Sequence, residues 1–475
     1  MKRRIREYNY DWMLNSVVNA GYNMFNGTPK EIQGFLKLVP SLKGLVNTFL
    51  RSGEMGRIFL AITVDYFGKI ITAHERGDKI AMGTFMGSQL LFDAFDGLQP
   101  MWAEPVTGLG GFIFRHGNSE YFDYACEKGL TETSCSAQRG VLGAILADLM
   151  SSGKPDICVL GAAGPCDTNC NSMQFYADYA RIPLITLDTP VNLVDDRSDA
   201  YQIRDVENMI EQVEKLTGAR LNEDKLREML NEKQKQNNIL GEIMDLIRLV
   251  PSPVPTMGIT YCYSSNIFAS GTKLQTALFE EVLRVSLQNA KAGRAGTYSG
   301  KEQIRLFMCY IEHFNMDAAF LDWAAANDIS LMVNMIWTLW WEGFVISQGL
   351  EDECCKIDTS SRESMIRSIA GLNSRLAMNK QLRGPYDAKG QWLSDCTAMA
   401  KTFKPDYLIY AGTLGCRNSW GINKLMQREM EKLGYPFMIC FTDCFDERPK
   451  SWESTKREME EFMRIRRKAQ CPAQS

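Results

Sequence analysis

The chain has 475 residues, of which 45% are hydrophobic and 23% are charged, a composition typical of globular proteins. Its 53 basic and 57 acidic residues give a formal net charge of −4, so charge provides no general attraction to nucleic acid or anionic lipid. No apolar stretch approaches the ~20 residues needed to cross a bilayer, and the basic N-terminus lacks the apolar region of a secretory signal. We therefore expect a cytoplasmic protein that binds neither nucleic acid nor membrane.

Apolar spacing predicts an alternation of helices and strands along the chain. Residues 1–78 and 193–250 carry the three-to-four spacing of amphipathic helices, and 271–293 is a further amphipathic segment. One face of the second block is predicted from Val206, Met209, Ile210, Val213 and Leu216, in a helix that Gly218 ends. Short apolar runs typical of buried parallel strands occupy 79–83, 156–160, 183–187, 304–310, 407–410 and 436–440. The aromatic run 335–341 could line a ligand cleft, but a place in the core is the favoured interpretation.

The strands are mostly separated by helix-length segments, which favours βαβ units. The predicted fold is α/β, with two doubly wound parallel-sheet (Rossmann-like) domains that face each other across a cleft, and with helical N-terminal and linking segments. The predicted divisions are a helical region (1–78), a first α/β domain (79–192), a helical connector (193–255), and a second α/β domain with a C-terminal helix (256–475).

Fourteen cysteines are more than packing requires, and in a reducing compartment most should be free thiols. Zinc sites usually draw their ligands from closely spaced pairs. Cys166/Cys170 and Cys440/Cys444 have such spacing, but neither has a matching histidine pair. The histidines are isolated from one another: His74, His116 and His313. The sequence also has no H-E-x-x-H motif, which excludes a zincin.

An internal repeat places two cysteines in equivalent positions. Lys154-Pro-Asp156 begins one predicted strand and Lys404-Pro-Asp406 begins another, and a cysteine follows each aspartate by ten residues. Each cysteine, Cys166 or Cys416, then precedes a helix-length segment, an X-Pro pair and an apolar strand. Loops at the carboxyl ends of parallel strands form the ligand crevice of open sheets. We therefore expect the two cysteines in opposite walls of one cleft, although a repeat could also reuse a small residue by coincidence.

Cys135 is a third candidate, because the segment after it has the pattern of a helix start, where the helix dipole favours thiolate over thiol. Three thiolates from separate loops suit a [4Fe–4S] cluster with one iron open to water or substrate. The predicted ligands are Cys135, Cys166 and Cys416. Cys170 is an alternative to Cys166, and the equal spacing of the repeat favours Cys166.

Other motifs are spread over residues 78–465, and they stand at these positions: Arg139 and Gly143 after Cys135; Cys166-Asp-Thr; Arg181-Ile-Pro183 through Asp188-Thr-Pro190; Gly415-Cys416-Arg-Asn-Ser419; Tyr435-Pro436; Asp443; Asp446-Glu-Arg448; and Ser451–Phe462. Together they resemble the family of 2-hydroxyacyl-CoA dehydratases and ATP-dependent benzoyl-CoA reductases.

The resemblance implies an oxygen-sensitive CoA-thioester enzyme of two related subunits, with cluster-binding cysteines at the positions matching Cys135, Cys166 and Cys416. It also implies a separate homodimeric iron–sulfur activator that hydrolyses ATP and delivers single low-potential electrons. The cluster would pass an electron to the CoA thioester, giving a ketyl radical that expels a hydroxyl group or is reduced further. This chain has no G-x-x-x-x-G-K-[ST] loop, in agreement with ATP hydrolysis elsewhere.

One departure from the family's sequence pattern bears on which reaction is catalysed. The family's dehydratases often carry P-x-E-L after the first strand, but Thr84–Leu90 here places Gln89 at the acidic position. An amide cannot act as a general acid or base. This departure, together with Pro251–Pro253 and Tyr261–Ser265, slightly favours benzoyl-CoA reductase-type ring reduction over (R)-2-hydroxyacyl-CoA dehydration. Gln89 and Ser264 are candidates for groups near the substrate, with no assigned catalytic role.

Two further hypotheses stay open. A non-catalytic electron-transfer subunit would hold a fully ligated cluster, with Cys170 or Cys444 as the fourth ligand. A doubly wound module without metal would simply bury its thiols.

Overall fold

The computed structural model describes Phe49 and residues 51–84, 89–113, 119–148, 150–161, 166–188, 196–309, 314–334, 357–374, 391–413 and 416–470. The expectations for residues 1–48, the aromatic run 335–341, His116 and His313 lie outside these residues.

The elements of the first half are, in chain order, α1 (Glu54–Ile71), α2 (Ala73–Arg76), β1 (Lys79–Thr84), α3 (Gln89–Asp93), β2 (Phe95–Asp96), β3 (Leu98–Trp102), α4 (Ala103–Ile113), α5 (Ser119–Glu127), α6 (Ser136–Leu146), β4 (Ile157–Leu160), α7 (Asp167–Ala180) and β5 (Leu184–Thr186). A helical connection follows, with α8 (Asp196–Thr217), β6 (Arg220–Leu221), α9 (Glu223–Ile247), α10 (Thr256–Ala269) and α11 (Lys273–Lys291). The second half contains β7 (Ile304–Met308), α12 (Phe314–Ala326), β8 (Ile329–Asn334), α13 (Arg362–Ser374), α14 (Gln391–Phe403), β9 (Tyr407–Thr413), α15 (Arg417–Trp420), α16 (Asn423–Lys432), β10 (Phe437–Thr442) and α17 (Trp452–Gln470).

Two four-stranded parallel sheets form the framework, which confirms the α/β, parallel-sheet part of the predicted fold class. The first has the order β3-β1-β4-β5 and the second the order β10-β9-β7-β8. In both sheets, a strand that follows a Lys-Pro-Asp sequence, β4 or β9, pairs with the strand that opens its half, β1 or β7. The strands β4 and β9 are therefore equivalent in this pairing. That the two sheets face each other across a cleft stays a prediction.

The Lys-Pro-Asp repeat has a structural role at the start of β4 and β9. The Asp156 carboxylate accepts a hydrogen bond from the Ile80 N–H at 2.8 Å, and the Asp156 N–H donates to the Ile80 carbonyl at 2.8 Å. Asp406 makes the same pair of hydrogen bonds with Arg305, at 2.8 and 2.8 Å. Each aspartate thus fixes the register of its strand against the opening strand, and so fixes where each cysteine-bearing loop begins.

All six predicted strands are present, but sequence pattern did not identify β2, β3, β6 and β8. Of these, β3 and β8 are edge strands of the two parallel sheets, and β2 and β6 are two-residue strands that pair with each other. Pro100 interrupts the apolar pattern of β3 and is tolerated there because an edge strand needs fewer ladder hydrogen bonds. Ser330 interrupts the apolar pattern of β8 in a similar way, and Asn334 ends the strand.

The predicted helical blocks are also present. Asn222 caps α9, its side chain accepting from the Lys225 N–H at 3.0 Å, and Gly218 ends α8 with a positive φ of 78°. Leu216 was expected on the buried face of α8 but is 45% exposed, because the helix ends at Thr217 and its last turn extends beyond the core. Sequence pattern missed α10, which is apolar on most sides rather than on one stripe.

Helices α1, α9, α10 and α11 pack on one another, so helices on both sides of the predicted domain boundaries share contacts. One apolar core includes residues of these helices and of both sheets, for example Ile243, Val159 and Leu306. The domain boundaries stay a prediction. Within the described part of the chain, no helix is both long enough and apolar enough to traverse a membrane.

Candidate functional site

The three candidate cysteines each lie directly before a helix. Cys135 precedes α6, Cys166 precedes α7 and Cys416 precedes α15. Each cysteine carbonyl accepts a hydrogen bond from the backbone N–H four residues later: Arg139 at 3.2 Å, Cys170 at 3.1 Å and Trp420 at 3.3 Å. Three loops from both halves of the chain therefore present a cysteine in the same local conformation.

The structure brings the three thiols into one neighbourhood, with Cys166 interacting with the other two. Burial raises the pKa of the Cys166 thiol, and the thiols of Cys416 and Cys135 raise it further. The pKa of the Cys170 thiol is also raised by burial, but its second cause is the nearby Asp167 carboxylate and not another thiol. Of the two cysteines in this loop, Cys166 is thus the one whose thiol interacts with those of Cys135 and Cys416.

These thiols do not form a single-ion site. Among the described residues, no group of three or more His, Cys, Asp or Glu side chains is close enough to hold one metal ion. In a cluster, by contrast, each thiolate binds a different iron, so the ligands stand farther apart than the ligands of one zinc ion. An all-sulfur donor set from three loops fits an iron–sulfur cluster better than a hard cation.

The surroundings of the Cys135 thiol act against the expected thiolate, and the thiolate form of Cys135 as a cluster ligand stays a prediction. A hydrogen bond with Cys444, burial and the nearby Asp443 carboxylate raise the pKa of Cys135 well above its usual range. These effects outweigh the dipole of α6. A bound metal ion would reverse the balance, because a coordinating thiol loses its proton.

Cys444 lies on the loop after β10 and is 5% exposed. Its Sγ is 3.2 Å from the Thr413 hydroxyl, at the end of β9. Together with Phe122, Ala137 and Phe445, it forms a small apolar cluster against which Cys135 packs. Cys444 therefore contacts residues of both halves beside the candidate ligands.

Residues 443–448, here called the strap, join the second half to the start of α6. The Ser136 hydroxyl donates to the buried Asp443 carboxylate, and the Phe445 N–H donates to the Ser136 oxygen at 2.9 Å. The same carboxylate accepts from the Phe445 and Asp446 N–H groups at 3.2 and 3.1 Å. Burial raises the pKa of Asp443, although these donors oppose the shift. The strap fixes α6, and with it Cys135, relative to the second half.

The far end of the strap is held by charge. Arg448 forms a bidentate pair with Asp446 at 2.8 and 2.6 Å, and also donates to Asp123 on α5 at 2.9 Å. The guanidinium groups of Arg448 and Arg139 lie 5.9 and 5.3 Å from the Phe122 ring centroid. Charge-assisted hydrogen bonds of this kind have a specific geometry. These hydrogen bonds and the arginine contacts with Phe122 hold α5 and α6 against the strap.

Gln89 and Ser264 have different surroundings. Gln89 is the first residue of α3 and is 1% exposed; its oxygen accepts from the Trp102 indole, and its amide donates to Asp93 at 3.1 Å. Its amide is thus engaged within the protein. Ser264 is half-buried on α10. A role near substrate for either residue stays a prediction.

Glu104 is a buried carboxylate that sequence analysis missed. It is 2% exposed and lies in the first turn of α4, directly after the carboxyl end of β3. Thr107 and Gly108 lie on the same face of α4 as Glu104, one turn later. The Thr107 hydroxyl donates to the Ala137 carbonyl. Gly108 lies against the Phe445 ring. Its position directly after a strand could have identified Glu104 as a candidate, but β3 was not predicted from the sequence.

Comparison with known proteins identifies the family to which the sequence is similar. A family model described as the D-component of 2-hydroxyglutaryl-CoA dehydratase matches residues 86–465. The alpha subunit of (R)-2-hydroxyglutaryl-CoA dehydratase from Acidaminococcus fermentans is 28% identical over 148 residues, covering 30% of this chain and 31% of that protein. The aligned part therefore spans about a third of that relative's length.

Proposed function

Because the chain belongs to the 2-hydroxyglutaryl-CoA dehydratase D-component family, we propose that it is the iron–sulfur subunit of an enzyme acting on CoA thioesters. In this proposal Cys135, Cys166 and Cys416 hold a [4Fe–4S] cluster. The observation that carries it is the interaction of the Cys166 thiol with both other thiols, from loops that are far apart in sequence. Cys170, whose thiol interacts with Asp167 instead, is not a ligand.

The donor set leaves one iron without a cysteine, so water or substrate can occupy that position. When bound, the cluster would supply single low-potential electrons to the thioester. The residues of this chain bury its ligands: Phe122, Ala137 and Phe445 pack around Cys135 and limit the access of water. Burial and hydrogen bonds to sulfur are among the factors by which a protein sets a cluster's potential.

Dehydration of a 2-hydroxyacyl-CoA is the favoured reaction, because the matched family and the named relative are dehydratases. Such a reaction needs a group that transfers a proton to the departing hydroxyl. Gln89 cannot do this, and we assign the task to Glu104, a carboxylate at the carboxyl edge of the first sheet. Its face of α4 contacts Ala137 and Phe445, which also surround Cys135.

Benzoyl-CoA reductase-type ring reduction is the second candidate. It is supported by Gln89, whose amide stands where the family's dehydratases often carry an acid and is engaged with Trp102 and Asp93. A non-catalytic electron-transfer subunit is the third candidate; it would need a fourth protein ligand on the cluster.

The proposal includes two partners. One is a related cluster-binding subunit, in line with the relative's description as one subunit of its enzyme. The other is an ATP-hydrolysing iron–sulfur activator. A cytoplasmic location is part of the proposal, and the described cysteines, all of them free thiols, are compatible with a reducing compartment.

Anaerobic reconstitution with iron and sulfide tests the cluster. We expect four irons per chain, with the Mössbauer and EPR signals of a [4Fe–4S] cluster, and loss of those irons in C135A, C166A and C416A. The control is C262A, which removes a buried thiol on α10. A wild-type chain that binds no cluster would contradict the proposal.

The assembled enzyme, with partner and activator, tests the reaction. Turnover of an (R)-2-hydroxyacyl-CoA without reduction of benzoyl-CoA is the expected result. Ring reduction without dehydration would establish the second candidate, and electron transfer with neither activity the third.

A further inference from the structure

Cys444 is a buried thiol that the proposed ligand set does not use. It forms a hydrogen bond with the Cys135 thiol and packs with it in one apolar cluster. On its other side, its Sγ lies 3.2 Å from the Thr413 hydroxyl. Cys444 thus stands between a candidate ligand and the strand that leads to Cys416.

Direct contact with Cys135 argues against Cys444 as a fourth cluster ligand. Thiolates that bind different irons are separated by the body of the cluster, and two thiolates in contact would also repel each other. A thiol that remains protonated has the opposite preference, because its S–H is a donor for a thiolate acceptor. The contact therefore favours a hydrogen bond to a ligand sulfur.

Thr413 is held in place beside Cys444. Its carbonyl accepts from the Cys416 N–H at 3.1 Å, the Ser419 hydroxyl at 3.1 Å and the Trp420 indole at 2.9 Å. Either the Thr413 hydroxyl or the Cys444 thiol can be the donor in their contact. When the hydroxyl donates, the Cys444 S–H is left to donate to Cys135. The three groups form a short chain that ends at a ligand sulfur.

We infer that Cys444 acts as a positioning residue that donates its S–H to the Cys135 sulfur and thereby raises the reduction potential of the cluster. This inference rests on the proposed function. A donor to a ligand sulfur stabilises the reduced cluster more than the oxidised one, since the reduced cluster carries more negative charge. Loss of the donor should therefore make the cluster harder to reduce.

The experiment compares reconstituted full-length wild-type, C444A, C444S and T413V proteins. Iron and sulfide content report on ligation, and an EPR-monitored redox titration gives the midpoint potential. C440A is the matched control, since Cys440 is a fully buried thiol on β10, four residues before Cys444. We expect full iron content in all variants. The midpoint should be more negative in C444A, nearer wild type in C444S, and shifted in the same direction but by less in T413V.

The possible failures can be separated. A wild-type chain without cluster would contradict the proposed function itself. A C444A protein with full iron and a wild-type midpoint would overturn only the inference, as would an equal shift in C440A. Loss of iron in C444A would also overturn it, because Cys444 would then be a ligand.

Discussion

Gly143 of α6 lies so close to the carbonyl oxygen of Tyr121 on α5 that a side chain at this position would overlap it. The glycine, one of the motif residues after Cys135, therefore allows α5 and α6 to approach each other. We expect G143A to lower the free energy of unfolding by about 3 kcal/mol, since the clash is with backbone that cannot rotate away. Denaturant unfolding measures the change.

Gly241 provides the matched control. It lies inside α9, and apart from its own helix no atom of the described residues comes within 4 Å of the position that an added methyl group would occupy. G241A should raise the free energy of unfolding by about 0.5–1 kcal/mol, because alanine is the better helix former. Similar effects from both substitutions would show that helix propensity, rather than the approach of α5, governs Gly143.

Cys166 and Cys170 are separated by one helical turn, so their variants form a natural pair. C166A should lose most of the reconstituted iron, because Cys166 is the thiol that interacts with Cys135 and Cys416. C170A should retain it. The measurement is iron per chain after anaerobic desalting, and the opposite ranking would transfer the ligand assignment to Cys170.

Asp156 and Asp406 should contribute to stability in the same way, since each accepts a backbone N–H from the neighbouring strand. D156A and D406A should each lower the free energy of unfolding by about 1 kcal/mol. D245A is the control, because Asp245 makes an exposed pair with Arg248 at the end of α9, which is worth little. An equally large loss in D245A would contradict the role assigned to the two strand aspartates.

The effect of D156A should also depend on pH. Partial burial would raise the pKa of Asp156, but the Ile80 N–H, His74 and Lys79 outweigh it and lower the pKa below its usual value. An acid with a lowered pKa stabilises the native state above the unfolded pKa, and this contribution disappears as pH falls. The difference between wild type and D156A should therefore shrink below about pH 4; a constant difference from pH 7 to pH 3 would contradict this.

The contribution of Asp93 to stability should change with pH in the opposite direction to that of Asp156. Burial raises its pKa to about 6, even though the Gln89 amide acts against the shift. The native state then holds the proton to higher pH than the unfolded chain, so the contribution of Asp93 to stability falls as pH rises from about 4 to 7. Relative to D93N, wild type should lose about 2 kcal/mol over this range. Unfolding curves of the two proteins at several pH values provide the measurement, and parallel curves would contradict it.

Glu104 is the proposed proton-transfer group. In the assembled enzyme, E104Q should reduce kcat by about 10²- to 10⁴-fold, the usual contribution of a general acid or base. Iron content should be unchanged, since Glu104 is not a ligand. E104D, which keeps the carboxylate, should recover part of the activity. Activity of E104Q close to that of wild type would remove Glu104 from the proposal.

Much of the framework was predictable because buried parallel strands appear as apolar runs. The Lys-Pro-Asp repeat predicted the equivalence of β4 and β9, and the structure explains it by the hydrogen bonds of Asp156 and Asp406. Two of the four edge strands, β5 and β10, were predicted, but β3 was missed because a strand with one neighbour tolerates residues such as Pro100. Since β3 was missed, Glu104 could not be recognised as a residue at the sheet's carboxyl edge.

The neighbourhood of Cys135 was less predictable. The helix start after it was correctly identified, but the contact with Cys444, which raises the pKa of Cys135, comes from a segment about 300 residues away. The hydrogen bonds between Ser136 and the strap are equally distant in sequence. Local sequence pattern predicts the helix, whereas the pKa of Cys135 depends on contacts with residues that are distant in the sequence.

The strap has a consequence for biosynthesis. Cys135 and Cys166 are translated well before Cys416 and residues 443–448. Any group that requires all three thiols can be enclosed only after the later segment has left the ribosome. For the proposed cluster, iron delivery would therefore be a late step in maturation, and a prematurely truncated polypeptide would expose two of the thiols without being able to complete the cluster.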